Sequence, residues 1–123
     1  MESNKLSYIV IGCAFKVHSK LGPGLLESTY EACLVHELVK SNLRVEQQKQ
    51  LPVFYDNIQL DLGYRIDLLV DDRLIIEIKS VNELAPIHAA QLLSYLRLSE
   101  LRLGLLINFN VVNLRHGIKR IIL

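Results

Sequence analysis

Apolar residues recur at three- and four-residue steps near the start of the chain: Leu6, Ile9, Val10, Cys13, Val17 and Leu21. That spacing keeps them on one side of a helix, and Gly22-Pro23-Gly24 is a stop signal after it. A second helical stripe spans about residues 25–41, with Leu26, Tyr30, Cys33, Leu34 and Leu38 turned inward. Glu27 lies in its first turn and Glu31 one turn later. From Arg44 the period changes to two. Residues 45–55 read as a strand, which Pro52 assigns to an edge or a bulge. Residues 60–70 alternate, with Leu60, Leu62, Tyr64, Ile66, Leu68 and Val70 on one face and Asp61, Gly63, Arg65 and Asp67 on the other. Residues 73–79 form a third strand. Pro86 then opens a helix with Leu92, Leu93 and Leu96 inward. The apolar run 103–109 suits a central strand, and residues 117–123 add an edge strand. The order is helix, helix, three strands, helix, then one or two strands, with no repeat or linker. All of 1–123 is expected to form a single domain.

The strand Ile76-Glu77-Ile78-Lys79 puts Glu77 and Lys79 on one face, about 6.6 Å apart, and two isoleucines on the other. Alone, this is an ordinary amphipathic strand. The preceding strand changes the picture. If Val70 pairs with Leu74 across the loop Asp71-Asp72-Arg73, then Leu68 meets Ile76, Ile66 meets Ile78, and Asp67 meets Glu77. A two-residue loop would oppose Asp67 to Ile76 and mix the faces of both strands. Such a one-residue slip is disfavoured wherever one face is buried. Burial therefore selects a register that brings two carboxylates within about 5 Å.

Two carboxylates that close repel, and one takes up a proton unless a cation lies between them. A hard divalent ion, Mg²⁺ or Mn²⁺, suits such a pair, completing its shell with water and phosphate oxygens. Lys79 would then orient or deprotonate an attacking water and offset charge on a phosphate. The alternative is a cross-strand salt-bridge cluster in which Arg65 and Lys79 neutralise Asp67 and Glu77.

Composition narrows the setting. Half of the residues, 50%, are apolar and 22% are charged, as in a globular protein. Net charge is +1, which argues against a strong general DNA binder and leaves room for a local basic groove or a dimeric footprint. Cys13 and Cys33 sit in apolar stretches without metal-ligand spacing and read as reduced core thiols. Val10-Ile11-Gly12-Cys13 has the look of a lipoprotein cleavage box, but the apolar stretch before it is very short, and it is read as helix. No stretch approaches the roughly 18 apolar residues of a membrane span, and the expected location is cytoplasmic.

Asp67, followed after a hairpin by Glu77-Ile78-Lys79, resembles the signature of the PD-(D/E)xK nuclease superfamily, with Ile66 where its name has proline. Gly24-Leu25-Leu26-Glu27-Ser28-Thr29-Tyr30 is similar to the GxxExxY motif of a small family within it. Gln91-Leu92-Leu93-Ser94-Tyr95 is similar to the QxxxY helix of the exonuclease branch. Leu106-Ile107-Asn108-Phe109 and Gly117-Ile118-Lys119-Arg120 resemble the small family's ending, so the resemblance runs from Leu6 almost to the end. It implies a restriction-endonuclease-like α/β fold, a mixed central sheet flanked by helices. It further implies that Asp67, Glu77, the main-chain carbonyl of Ile78 and Glu27 hold Mg²⁺ (or Mn²⁺), that Lys79 serves the water, and that Gln91 and Tyr95 touch substrate. Glu27 equally suits the helix dipole, and Tyr30 suits the core. The implied function is metal-dependent hydrolysis of DNA or RNA phosphodiesters. The alternative is a nuclease-like scaffold with little or no turnover that binds a protein partner or nucleic acid. A homodimer is compatible with so small a nuclease.

Overall fold

In the computed structural model, which describes residues 1–123, the elements in chain order are α1 (Ser3–Leu21), α2 (Glu27–Lys40), β1 (Val45–Gln50), β2 (Val53–Tyr55), β3 (Ile58–Leu60), β4 (Arg65–Val70), β5 (Leu74–Lys79), α3 (Pro86–Ser99), β6 (Leu103–Asn108) and β7 (Ile118–Ile122). Leu6, Val10, Cys13 and Val17 of α1 are buried, as are Tyr30, Leu34 and Leu38 of α2. Leu26, expected inward, is 72% exposed. It precedes the first helical residue with extended backbone angles, so the helical period does not govern its direction. Tyr30 is a core residue with a polar anchor. Its hydroxyl donates to the Gly22 carbonyl (2.6 Å) and accepts from Leu25 N–H (3.1 Å), while its ring stacks on Phe109 at 4.6 Å. These contacts tie the glycine turn to the core and fix where α2 begins.

Five strands form one mixed sheet in the order β1-β4-β5-β6-β7. Only β5 and β6 run parallel, and α3 connects them. The chain thus has the mixed sheet flanked by helices that the resemblance implies, with β7 as the expected edge strand. Helices cover both faces. Leu68, Val70, Leu74, Ile76 and Ile78 pack with α1 and α2, whereas Leu51, Ile66, Leu69 and Ile75 pack with Leu92, Tyr95 and Leu96 of α3. Ile66 therefore does not share a cluster with Leu68 as alternation requires. The phase changes where β1 and β4 lose one rung: Gln47 pairs with Leu68 and Lys49 with Ile66, but the pair between them is missing.

Two expected strands are broken. The first stops at Gln50 and resumes at Val53, around Pro52, which has no N–H to give a ladder. The second is interrupted between Leu60 and Arg65, where Gly63 adopts φ 85°. The pieces β2 and β3 pair only with each other, across Asp56 and Asn57, both at positive φ as a tight hairpin turn requires. Leu62 and Tyr64, expected on the buried face, are 60% and 45% exposed on or beside this arm. No helix is long and apolar enough to cross a membrane.

Candidate functional site

The β4–β5 hairpin has the register that burial selects, with Val70 opposite Leu74, Leu69 opposite Ile75 and Leu68 opposite Ile76. Beyond Leu68 the side chains take over from the ladder. Glu77 Oε2 accepts from Asp67 N–H, and Asp67 Oδ2 accepts from Ile78 N–H, each at 2.9 Å. Each carboxylate is thus locked onto the other strand's backbone, leaving Asp67 Oδ1 and Glu77 Oε1.

Glu77 is only 4% exposed. Burial, and next the charge of Asp67, push its carboxyl up to about 8; the Asp67 N–H and Lys79 pull the other way without cancelling them. Neither carboxylate forms an ion pair; the chain's four lie elsewhere. The Arg65 guanidinium donates instead to the Gln48 carbonyl. The salt-bridge cluster that was the alternative for these residues is absent. What remains is an acidic pair, Glu77 buried and Asp67 half-buried, that no lysine or arginine bridges, a donor set that suits a hard divalent ion. No three His, Cys, Asp or Glu side chains gather as a metal cage. Protein ligation would therefore be sparse, leaving positions for water and phosphate oxygens.

On α2, Glu27 and Glu31 have different surroundings. Glu27 is exposed at the helix start and lines a shallow depression with Ser80, whose hydroxyl donates to the Leu25 carbonyl (2.6 Å). Glu31 is half-buried and held above the ordinary carboxylate range by burial first, with the charges of Asp67 and Glu27 adding to it. It in turn raises Glu77. Glu31 is thus the α2 carboxylate whose charge is felt at the pair, and Glu27 acts on Glu31.

Gln47 Nε2 and Gln48 Nε2 both donate to Glu31, at 3.2 and 2.9 Å. Neighbouring side chains in a regular strand point to opposite faces. These two converge because Gln48 stands at φ 50°, in the left-handed region. From there its amide also reaches Asp67 Oδ1 at 3.3 Å. Gln48 occupies the missing β1–β4 rung, opposite Asp67, and so links the α2 carboxylate to the pair. Left-handed backbone costs an ordinary residue roughly 1–2 kcal/mol. Gln48→Gly should therefore be more stable than Gln48→Ala by about 1 kcal/mol in urea unfolding, since both lose the amide and only glycine relieves the strain. Equal stabilities would count against the left-handed conformation.

The chain just past Lys79 is held by Asn108, the partner of Lys79 across the parallel ladder. Asn108 accepts from Val81 N–H (3.1 Å) and donates to the Val81 carbonyl (3.0 Å). Gly117 packs against it so closely that a Cβ would lie 2.1 Å from the Asn108 carbonyl oxygen, which accounts for glycine there.

Lys79 opens onto a cleft of about 600 Å³ between α3 and the β2–β3 arm. Gln91 and Tyr95, four residues apart on α3, line the same cleft, as do His88 and Ser94. The Tyr95 hydroxyl is raised above its ordinary value by burial and then by the charges of Glu77 and Asp67, so cleft and acidic pair adjoin. His88 Nδ1 accepts from Ala85 N–H (3.0 Å) at the start of α3. From the arm side come Val53, Leu62 and Tyr64.

A family model described as the PD-(D/E)XK nuclease superfamily matches residues 4–121. No curated protein and no solved structure matches the chain.

Proposed function

The chain belongs to the PD-(D/E)XK nuclease superfamily, and from that premise we propose that it hydrolyses nucleic-acid phosphodiesters with Mg²⁺ or Mn²⁺ at Asp67, Glu77 and Lys79. The observation that carries this reading is the carboxylate pair of buried Glu77 and half-buried Asp67, locked by reciprocal backbone hydrogen bonds and in no ion pair, next to a cleft that Lys79 enters. Asp67, Glu77 and the main-chain carbonyl of Ile78 would hold the ion. The chemistry a bound ion would supply there is polarisation of the phosphate and easier ionisation of the attacking water.

The chain's own groups do the rest. At neutral pH Glu77 carries a proton that it must release for the pair to serve as ligand. Lys79 orients the water and, as an ammonium, offsets charge developing on the phosphate oxygens. Gln91 and Tyr95, one helical turn apart, bind substrate across the cleft. Glu31, gripped by the two glutamines, adds negative charge on the α2 side of the pair, and Glu27 supports it from the helix start. The string from Gly24 to Tyr30 supports assignment to the GxxExxY family within the superfamily. Its tyrosine acts there by fixing the start of α2.

A panel of single- and double-stranded DNA and RNA, incubated with Mg²⁺ or Mn²⁺, tests this reading. Hydrolysis of at least one member, abolished by chelator, is expected. Metal-responsive melting without hydrolysis of any member would overturn the enzymatic reading in favour of the scaffold, which the balanced net charge of +1 also suits.

A further inference from the structure

The cleft beside Lys79 has the wrong walls for a duplex backbone. Phosphates are gripped by rows of lysine and arginine, yet Lys79 is the only lysine or arginine lining this cleft, and no Asp or Glu lines it. Its body is built from Val53, Leu62, Tyr64, Ile87, Tyr95 and Leu98. Tyr64 and Tyr95 meet edge to face, with centroids 6.2 Å apart and an interplanar angle of 68°. Tyr64 is 45% exposed, so its ring keeps free surface. Gln91 and Ser94 add an amide and a hydroxyl on the α3 wall.

Apolar and aromatic surface with a few placed polar groups is what receives a nucleobase lifted out of its stack, because every base offers a flat face to stack and an edge to hydrogen-bond. The volume of about 600 Å³ lies within the usual range for enclosing a small ligand. Charge on the arm points the same way. Residues 53–64 include Asp56 and Asp61 and neither lysine nor arginine, so a second strand's phosphates would be repelled there.

We propose that this cleft receives one unpaired base next to the scissile phosphate, so that the site takes single-stranded nucleic acid. The phosphate lies at Lys79, the base packs against Tyr64 and Leu62, and Gln91 and Ser94 meet its edge. The proposal rests on the hydrolytic reading of the site and names its substrate class.

The test is binding of a short DNA strand carrying one 2-aminopurine, with Ca²⁺ present, compared with the same strand in a duplex. The single strand should bind at least about tenfold tighter and its fluorescence should change. Tyr64→Ala should weaken binding about tenfold, the effect of losing one stacking face. Tyr64→Phe should restore binding, and Leu62→Ala should weaken it without altering the melting rise on adding Mg²⁺. Duplex binding as tight as single-strand binding, or unchanged binding by Tyr64→Ala, would overturn the proposal. So would failure to bind either form, with self-association instead burying the cleft and abolished by Leu62→Ala. The two readings fail separately: Mg²⁺-dependent duplex cleavage without base binding ends only this proposal, whereas single-strand binding without any cleavage ends only the hydrolytic one.

Discussion

Lys79→Ala should lose phosphodiester hydrolysis by about 10²–10³-fold, the usual cost of removing one group that stabilises developing charge, while keeping most of the melting rise that Mg²⁺ or Mn²⁺ gives the parent. The split follows from what each residue does. Lys79 faces the cleft, while in the proposed arrangement the ion would sit at the pair behind it, and stabilisation by a ligand depends only on its affinity for the folded state. Asp67→Asn and Glu77→Gln should behave differently, losing hydrolysis and metal-linked stabilisation together. Amides are the informative replacements because each carboxylate also accepts a main-chain N–H from the opposite strand. Alanine would leave that donor unpaired, at a cost of about 1–3 kcal/mol that would obscure the comparison. Melting the four proteins with and without metal, beside a hydrolysis assay, checks this. A Lys79→Ala protein that lost its metal response, or that still cleaved at the parent's rate, would remove Lys79 from its assigned role.

The metal-free protein should become less stable as pH rises from about 5 to about 8. Glu77 goes from 4.5 to about 8 on folding, so within that window the folded chain holds a proton that the unfolded chain has released. Stability from this group is fully present below the unfolded value, declines as pH rises through the window, and levels off above the folded value. The slope has a ceiling of about 1.4 kcal/mol per pH unit, and the whole effect is on the order of a few kcal/mol. Glu31 is shifted in the same direction and adds to the slope. Glu77→Gln keeps an oxygen for the Asp67 N–H but cannot ionise. It should flatten most of the decline and exceed the parent in stability above pH 8. Urea unfolding in chelator at pH 5 and pH 8.5 checks it. A parent that gained stability across this window, or a Glu77→Gln protein with an undiminished slope, would contradict the buried-pair account.

The hairpin register could be read from the amino-acid order because Leu68, Val70, Leu74 and Ile76 have only one pairing that keeps them on the same side. The ladder ends at Leu68 and Ile76, so the expected meeting of Ile66 with Ile78 fails, the two packing in different clusters. Asp67 and Glu77 come together through side-chain bonds to each other's strand. The shared cleft wall of Gln91 and Tyr95 follows from their four-residue spacing. Local pattern failed where tertiary structure overrode it. Leu60, Leu62 and Tyr64 alternate like a buried strand, but Gly63 turns the chain out and they become an exposed arm and a cleft wall. Ile66 changes cluster for a reason invisible in its own strand, the interrupted rung opposite Asp67. Gln47 and Gln48 look like solvated edge residues, since nothing in a glutamine marks a left-handed backbone. Glu31 did carry a signal, one turn after Glu27 on the same side of α2. Which of the two carboxylates is felt at the pair depends on where β1 lies.

The central claim, that Asp67 and Glu77 form a divalent-ion site, is tested most directly by calorimetric titration of Mn²⁺ at pH 7 in two buffers of different protonation heat. Glu77 holds its proton at that pH, so an ion bound by the pair must displace it. The account predicts one saturable site releasing close to one proton per ion, with both signals lost in Glu77→Gln. Absence of binding, or binding with no buffer-dependent heat, would contradict it.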